Sequence, residues 1–178
     1  MLKTISQMIR SGILTEPIPS QPNPAADSNR LQQKIWKTLG RALCIRHVDA
    51  GSCNGCELEI QALNNPYYNL EGVGIKFVAS PRHADMLLVT GPVSVNMEEA
   101  LRRTFDAVPD PKLVVAVGDC GACGGIFAKS YASRGAVSQV IPVDGTVVGC
   151  PPSPMAILQT ILETISAAQF PLHPAGEK

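Results

Sequence analysis

Two short apolar runs, Met86–Thr90 and Leu113–Val117, restrict most strongly the folds open to this chain. Runs of this length are typical of strands buried on both faces, as in a parallel sheet. Further strands are predicted over Ala42–Val48, Ile75–Ala79 and Val140–Val143. Helical spacing of apolar residues predicts helices over Cys56–Asn64, Asn96–Ala107 (with Asn96 as N-cap) and Met155–Ala168. This alternation predicts an α/β fold, a single domain built on an open parallel sheet with helices on both faces.

The residues ahead of this domain divide into segments of different character. Met1–Leu14 has helically spaced apolar residues and predicts an amphipathic helix, which packs on its own domain or docks on a partner or membrane. Thr15–Asn29 contains four prolines and predicts an extended linker. Arg30–Arg46 has five basic residues and no acidic one, typical of a solvated helix face or of a surface for an acidic partner. We therefore expect an N-terminal extension with a docking helix at 1–14 and a linker and basic helix at 15–40, then a domain at 41–170 and a tail at 171–178.

The charge balance and the cysteine count limit the classes of function. Lys and Arg total 15, as do Asp and Glu, so bulk electrostatics gives no support for a nucleic-acid partner. No apolar run approaches the roughly 20 residues that span a bilayer, and Ser6, Gln7 and Arg10 interrupt any signal-peptide core. We expect a reducing, cytoplasmic environment. There, six cysteines favour metal or redox chemistry over disulfides.

Five of the six cysteines lie in Gly- and Pro-rich segments, each predicted to be a loop that follows a strand. These segments are Gly51–Cys56, Gly118–Gly125 and Gly149–Pro152. In an open parallel sheet, the loops after the carboxyl ends of the strands gather at one edge, where ligands bind. Thiolates from three distant segments could therefore meet at one point.

Four thiolates suit either zinc or an iron–sulfur cluster. Zinc ribbons pair two C-x-x-C motifs about 15–20 residues apart. Cys56 and Cys120 are much farther apart than that, and Cys150 lies in yet another segment. The spacing favours an iron–sulfur cluster over zinc, while a zinc-stabilised structural protein and a disulfide framework stay as alternatives.

Four segments resemble a known family: Asp49–Ile60, Ser80–Gly91, Gly118–Gly125 and Gly149–Pro154. The chain resembles the small, cluster-bearing subunit of membrane-bound, energy-converting [NiFe] hydrogenases, including the formate hydrogenlyase type. It is also similar to the 20 kDa-type subunit of NADH:quinone oxidoreductase, complex I. The similarity spans about residues 41–165. The C-x-G-C spacing favours the hydrogenase branch, because the respiratory subunit has adjacent cysteines there.

The resemblance implies a flavodoxin-like fold and an electron-transfer subunit that is not active alone. It implies one [4Fe–4S] cluster, with Cys123 as an alternative to the third of the ligands Cys53, Cys56, Cys120 and Cys150. The implied partners are a hydrogenase-type large subunit, a ferredoxin-like electron-transfer subunit and integral membrane subunits. The implied location is peripheral, on the cytoplasmic face of the cell membrane. In the quinone-reducing alternative, the same cluster reduces quinone.

Four further residues were weighed for supporting roles. Glu57 is expected to be either a surface residue or a proton carrier beside the cluster. Arg82 is a candidate for tuning the reduction potential, since a nearby cation favours the reduced state. We expect His83 at the surface and Asp85 to orient its loop. Cys44, in a predicted strand, is expected to be a small buried apolar residue.

Overall fold

The computed structural model describes residues 3, 5, 6, 10, 32, 33, 35–37, 39–128 and 130–168. The strands are β1 (Leu43–Asp49), β2 (Ile75–Phe77), β3 (Met86–Thr90), β4 (Val93–Ser94), β5 (Leu113–Val117), β6 (Ser133–Gly135) and β7 (Gly145–Val147). The α-helices are α1 (Gly55–Ala62), α2 (Leu70–Val73), α3 (Val95–Ala107), α4 (Gly118–Cys123) and α5 (Pro154–Ala167). Short 3-10 turns occupy Pro81–His83, Gly125–Phe127 and Val137–Gln139.

The main sheet has five parallel strands in the order β2-β1-β3-β5-β7. Counted along the chain, these are strands 2-1-3-4-5, the order of flavodoxin-like doubly wound folds. Strands β4 and β6 form a separate antiparallel pair. The predicted flavodoxin-like α/β fold is therefore confirmed.

Each face of the sheet covers its own hydrophobic core, because alternate residues of a strand point to opposite sides. On β1, Leu43 and Ile45 pack in one core with α1 and α5, whereas Val48 packs in the other core with Leu101 of α3. Strands β3 and β5 are buried at every position, which is why their sequences are continuous apolar runs. Truncating a fully buried core residue such as Leu101 would cost about 2–5 kcal/mol.

Strands β3 and β5 have the bounds that their apolar runs predict, but the strand predicted over Val140–Val143 is wrong. Val140 and Ile141 are buried in the core of the α3 face, where they follow the Val137–Gln139 turn. Pro142 has no amide hydrogen to donate to a strand ladder. The strand that pairs with β5 is Gly145–Val147.

Asn96 is not the N-cap of its helix, as its side-chain chemistry had suggested. Helix α3 begins one residue earlier, at Val95, and Ser94 takes the cap position. Ser94 is held in extended geometry because it belongs to β4 and donates its backbone amide to the Ala50 carbonyl at 2.8 Å. Tertiary pairing therefore decides where this helix starts.

Much of the N-terminal region lies outside the described residues, including most of the segment predicted as a docking helix. Lys3, Ile5, Ser6 and Arg10 are helical. In the basic segment, Ile35 is only 2% exposed and packs in the core of the α1 and α5 face. Gln32 donates to the Gly72 carbonyl at 3.3 Å. This segment therefore contacts the domain, and the proposed segment boundaries stay a prediction.

Candidate metal centre

All five cysteines of the Gly- and Pro-rich segments lie at the carboxyl edge of the sheet. Cys53 and Cys56 follow β1, Cys120 and Cys123 follow β5, and Cys150 follows β7. The expectation that all of them lie in loops is wrong for three: Cys56 is in the first turn of α1, and Cys120 and Cys123 are in α4. Helical geometry is possible in the Gly-rich segment because α4 begins directly where β5 ends and closes at Gly124 in a left-handed conformation.

The segment that carries Cys53 must cross the end of β3, because β3 lies between β1 and β5 in the sheet. Gly91, with φ +77°, makes this crossing possible: a Cβ atom there would lie 2.5 Å from the Ser52 nitrogen. The carboxylate of Asp49 stabilises the turn, since its Oδ1 accepts from the backbone amides of Gly51 and Ser52, each at 2.8 Å. Local side-chain chemistry therefore directs the first cysteine pair toward β5.

Direct contact across the edge is visible at Gly118, the first residue of α4. Its φ is +82°, and a Cβ atom there would lie 2.7 Å from Cys56 Sγ and 3.3 Å from the Gly149 carbonyl oxygen. The thiol of Cys56 therefore rests against the segments that carry Cys120 and Cys150. Pro151, directly after Cys150, lies 3.8 Å from a Cβ built on Gly55, the residue before Cys56.

The electrostatics also join the thiols into one group. Burial raises the pKa of Cys56 to about 11, and Glu57, Cys120, Cys53 and Cys150 each raise it further. Burial also raises the pKa of Cys120, with Cys150 and Cys53 as the next largest causes. These thiols oppose each other's ionisation, so a positively charged group must enter before all four become thiolates.

The donor set fits a thiolate-ligated group. Cys53 and Cys150 are exposed, while Cys56 and Cys120 are half-buried, so one side of the site is open and the other is enclosed. Four cysteine sulfurs are the ligand set of an iron–sulfur cube and also of structural zinc. Within the described ranges, no three or more His, Cys, Asp or Glu side chains are placed to hold a single metal ion. Cys53, Cys56, Cys120 and Cys150 are the residues that would hold the cluster.

Cys123 is placed differently from the other four cysteines. Its thiol is exposed and lies 3.2 Å from the Asp119 carbonyl oxygen, four residues earlier in the chain. It contributes to the pKa shift of Cys120 but not to that of Cys56. Between the two candidates for the third ligand, the placement therefore favours Cys120.

Glu57 is buried beside the cysteines, not at the surface. It is 6% exposed, and neither carboxylate oxygen has a hydrogen-bond partner among the described residues. Its nearest cation is His47, whose Nε2 lies 3.7 Å away, which is longer than a hydrogen bond. Burial lowers the pKa of His47, although the Glu57 and Asp49 carboxylates oppose this effect.

His47 and Thr90 complete this polar group, and the sequence analysis missed both. His47 Nε2 lies 3.1 Å from Thr90 Oγ1, and the Thr90 hydroxyl donates to the Val48 carbonyl at 3.4 Å. Both residues lie within strands that otherwise show apolar patterns. A polar residue within such a strand is the signal that could have identified them.

Arg82 is not brought to the cysteines. It lies in the Pro81–His83 turn that leads into β3, whereas the cysteines follow the carboxyl ends of the strands. The full length of β3 therefore separates Arg82 from the site. His83 is exposed, as expected. Asp85 orients the same turn by accepting from Arg41 and, at 3.0 Å, from the Cys44 amide. Cys44 lies on β1 but is only half-buried.

The fold and the thiol-lined edge define a class, the flavodoxin-like domains that carry cysteine ligands on the loops and helix starts after parallel strands. The chain belongs to the family described as NADH ubiquinone oxidoreductase, 20 Kd subunit, which matches residues 53–164. Members of this class of complex subunit serve oxidoreductases. None of the helices in the described part of the chain is long and apolar enough to cross a membrane.

Named relatives lie on the hydrogenase side of this family. The chain is 44% identical over 140 residues to a probable membrane-bound hydrogenase subunit, mbhJ, of Pyrococcus furiosus, covering 77% of this chain and 84% of that protein. It is 39% identical over 146 residues to formate hydrogenlyase subunit 7 of Escherichia coli, covering 82% of this chain and 57% of that protein.

A solved structure supports the same placement. It is a chain of the membrane-bound sulfane sulfur reductase, an archaeal respiratory membrane complex. That chain is 31% identical, with a TM-score of 0.61, and the match covers 81% of this chain and 76% of that one.

Proposed function

We propose that this protein is the electron-transfer subunit of a membrane-associated, energy-converting [NiFe]-hydrogenase-type complex, with one [4Fe–4S] cluster held by Cys53, Cys56, Cys120 and Cys150. The observation that carries the proposal is the convergence of these thiols, from three separate segments, at one edge of the sheet. When bound, the cluster supplies one-electron redox chemistry.

The residues of this chain would position the cluster and limit its contact with water. The Asp49 turn directs Cys53 and Cys56, and Gly118 leaves the space that the Cys56 thiol occupies. The half-buried thiols of Cys56 and Cys120 face the protein, while those of Cys53 and Cys150 face outward. Such burial and backbone packing are the means by which a protein sets a cluster's potential.

Exposed apolar side chains near the cysteines support a partner at this edge. Leu58 follows Cys56 by two residues, Val148 precedes Cys150 by two, and Ile126 follows Cys123 by three; these side chains are 57%, 73% and 90% exposed, respectively. Apolar side chains grouped on a surface are typical of a protein interface. We assign this edge to the catalytic large subunit, with a ferredoxin-like subunit and integral membrane subunits elsewhere in the complex, at the cytoplasmic face of the membrane.

The hydrogenase branch is preferred over the quinone-reducing branch. The C-x-G-C spacing of Cys53 and Cys56 supports this choice, as do the names of the relatives in Pyrococcus and Escherichia. Within this function, Glu57 is proposed to carry a proton beside the cluster, because its carboxylate is buried one residue after Cys56 and has no hydrogen-bond partner among the described residues. We propose no tuning role for Arg82, given its place at the opposite edge.

The test is an electron-transfer measurement in the intact complex. The complex is purified with this subunit, reacted with hydrogen, and freeze-quenched for electron paramagnetic resonance at increasing times. The proposal expects this subunit's cluster to be reduced at least as fast as the complex turns over. A Cys56→Ser complex that retains its large subunit should lose both the signal and electron delivery. Full electron delivery without this cluster would refute the proposal, and reduction by quinol alone would favour the quinone-reducing branch.

A further inference from the structure

Two aspartates join the β5 and β7 segments by the same pattern of paired hydrogen bonds, one at each end of the strands. At the cysteine edge, the Asp119 amide donates to the Gly149 carbonyl at 2.9 Å, and the Gly149 amide donates to Asp119 Oδ1 at 2.8 Å. At the opposite edge, the Asp144 amide donates to the Val114 carbonyl, and the Val114 amide donates to Asp144 Oδ2, both at 2.8 Å.

Only the first pair lies between candidate ligands. Asp119 directly precedes Cys120, and Gly149 directly precedes Cys150. Two hydrogen bonds in opposite directions fix both the separation and the rotation of the two backbones, which a single bond would not do. The Asp119 side chain therefore limits how far Cys120 and Cys150 can move apart.

The same carboxylate is close enough to affect the Cys120 thiol electrostatically. A negative charge at this position disfavours the more negative, reduced form of any cluster that Cys120 holds. Asp119 therefore has two separable properties: an acceptor oxygen that joins two ligand segments, and a charge beside one ligand.

We propose that Asp119 is a positioning residue for the cluster: its carboxylate holds the Cys120 and Cys150 segments at the spacing the cluster needs. This assignment rests on the proposed function and extends it to a residue that ligates nothing. Residues that support metal ligands typically contribute about 10–100-fold to metal retention.

The experiment uses the full chain, reconstituted anaerobically with ferrous iron and sulfide. Wild type, Asp119→Ala, Asp119→Asn and the matched control Asp144→Ala are compared. Three quantities are measured: the rate at which a chelator removes iron, the midpoint potential followed by electron paramagnetic resonance, and the unfolding temperature of the cluster-free chain.

Asp119→Ala is expected to lose iron about 10–100-fold faster than wild type. Asp119→Asn should keep iron nearly as long as wild type, because its amide oxygen still accepts from Gly149, but its midpoint potential should rise because the charge is gone. Asp144→Ala should lower the unfolding temperature without faster iron loss.

Iron loss from Asp119→Ala at the wild-type rate would overturn the assignment, as would equally fast loss from Asp144→Ala, which would indicate a merely structural role. If Asp119→Ala does not fold, Asp119→Asn decides: rapid iron loss from that variant overturns the assignment. A wild-type chain that takes up no iron and sulfide would instead refute the proposed function itself.

Discussion

Replacing Gly118 by alanine tests the closest contact in the candidate site. Gly118 has φ +82°, and its added Cβ atom would lie 2.7 Å from Cys56 Sγ. Two costs follow: a left-handed backbone for a residue with a side chain, and a collision with a candidate ligand. Gly74→Ala separates them, because Gly74 has φ +92° but nothing within 4 Å of the added atom.

The magnitudes follow from this geometry. The left-handed conformation costs about 1–2 kcal/mol for an L-residue, so both variants should lose at least that much stability. For a chain of this length, that corresponds to a fall of about 2–8 °C in unfolding temperature. In Gly118→Ala only, the Cys56 sulfur must move by about 1 Å to reach an ordinary contact distance of 3.5–4.0 Å. A functional site tolerates displacements of only about 0.5 Å.

The assay measures the unfolding temperature of the cluster-free chain and the iron and sulfide bound after anaerobic reconstitution. Gly74→Ala should be destabilised but should bind iron and sulfide as wild type does. Gly118→Ala should be destabilised at least as much and should bind much less of both. If Gly118→Ala binds a full complement of iron, or if Gly74→Ala loses as much iron, Cys56 does not depend on this contact and the reasoning is wrong.

Three other changes test separate parts of the site. Cys120→Ser should abolish cluster binding while Cys123→Ser leaves it intact, as iron analysis would show; the reverse result would make Cys123 the ligand. For the cluster-free chain, the native state keeps the Cys56 proton between pH 9, the ordinary value, and about 11, so urea-unfolding stability should fall across this range, and less so in Cys56→Ala. An equal fall in both would contradict the pKa shift. Glu57→Gln should slow proton-coupled turnover of the complex by about 10²-fold with unchanged iron content. Unchanged turnover would remove Glu57 from the mechanism.

Local pattern was sufficient for the centre of the sheet, because a strand buried on both faces can only be apolar. Met86–Thr90 and Leu113–Val117 therefore have their predicted bounds. It failed at Val140–Val143, where burial by a turn produces the same apolar pattern as burial in a strand.

The edge at which the cysteines gather was predictable from the order of strands and loops, but their contacts were not. Gly118 against Cys56 depends on backbone paths that meet only after folding. Arg82 belongs to a motif shared with the family, yet sequence proximity gives no information about which end of a strand a turn occupies. His47 and Glu57 come together because β1 and α1 pack on each other, which no spacing within either element indicates.

The central claim is that one four-iron cluster binds where three segments meet. Mössbauer spectroscopy of the full chain reconstituted with ⁵⁷Fe, combined with iron, sulfide and zinc analysis, tests it most directly. The account predicts about four irons and four sulfides per chain, with the spectrum of a single cubane that disappears in Cys56→Ser. One zinc per chain without sulfide, or iron that stays bound in Cys56→Ser, would contradict it.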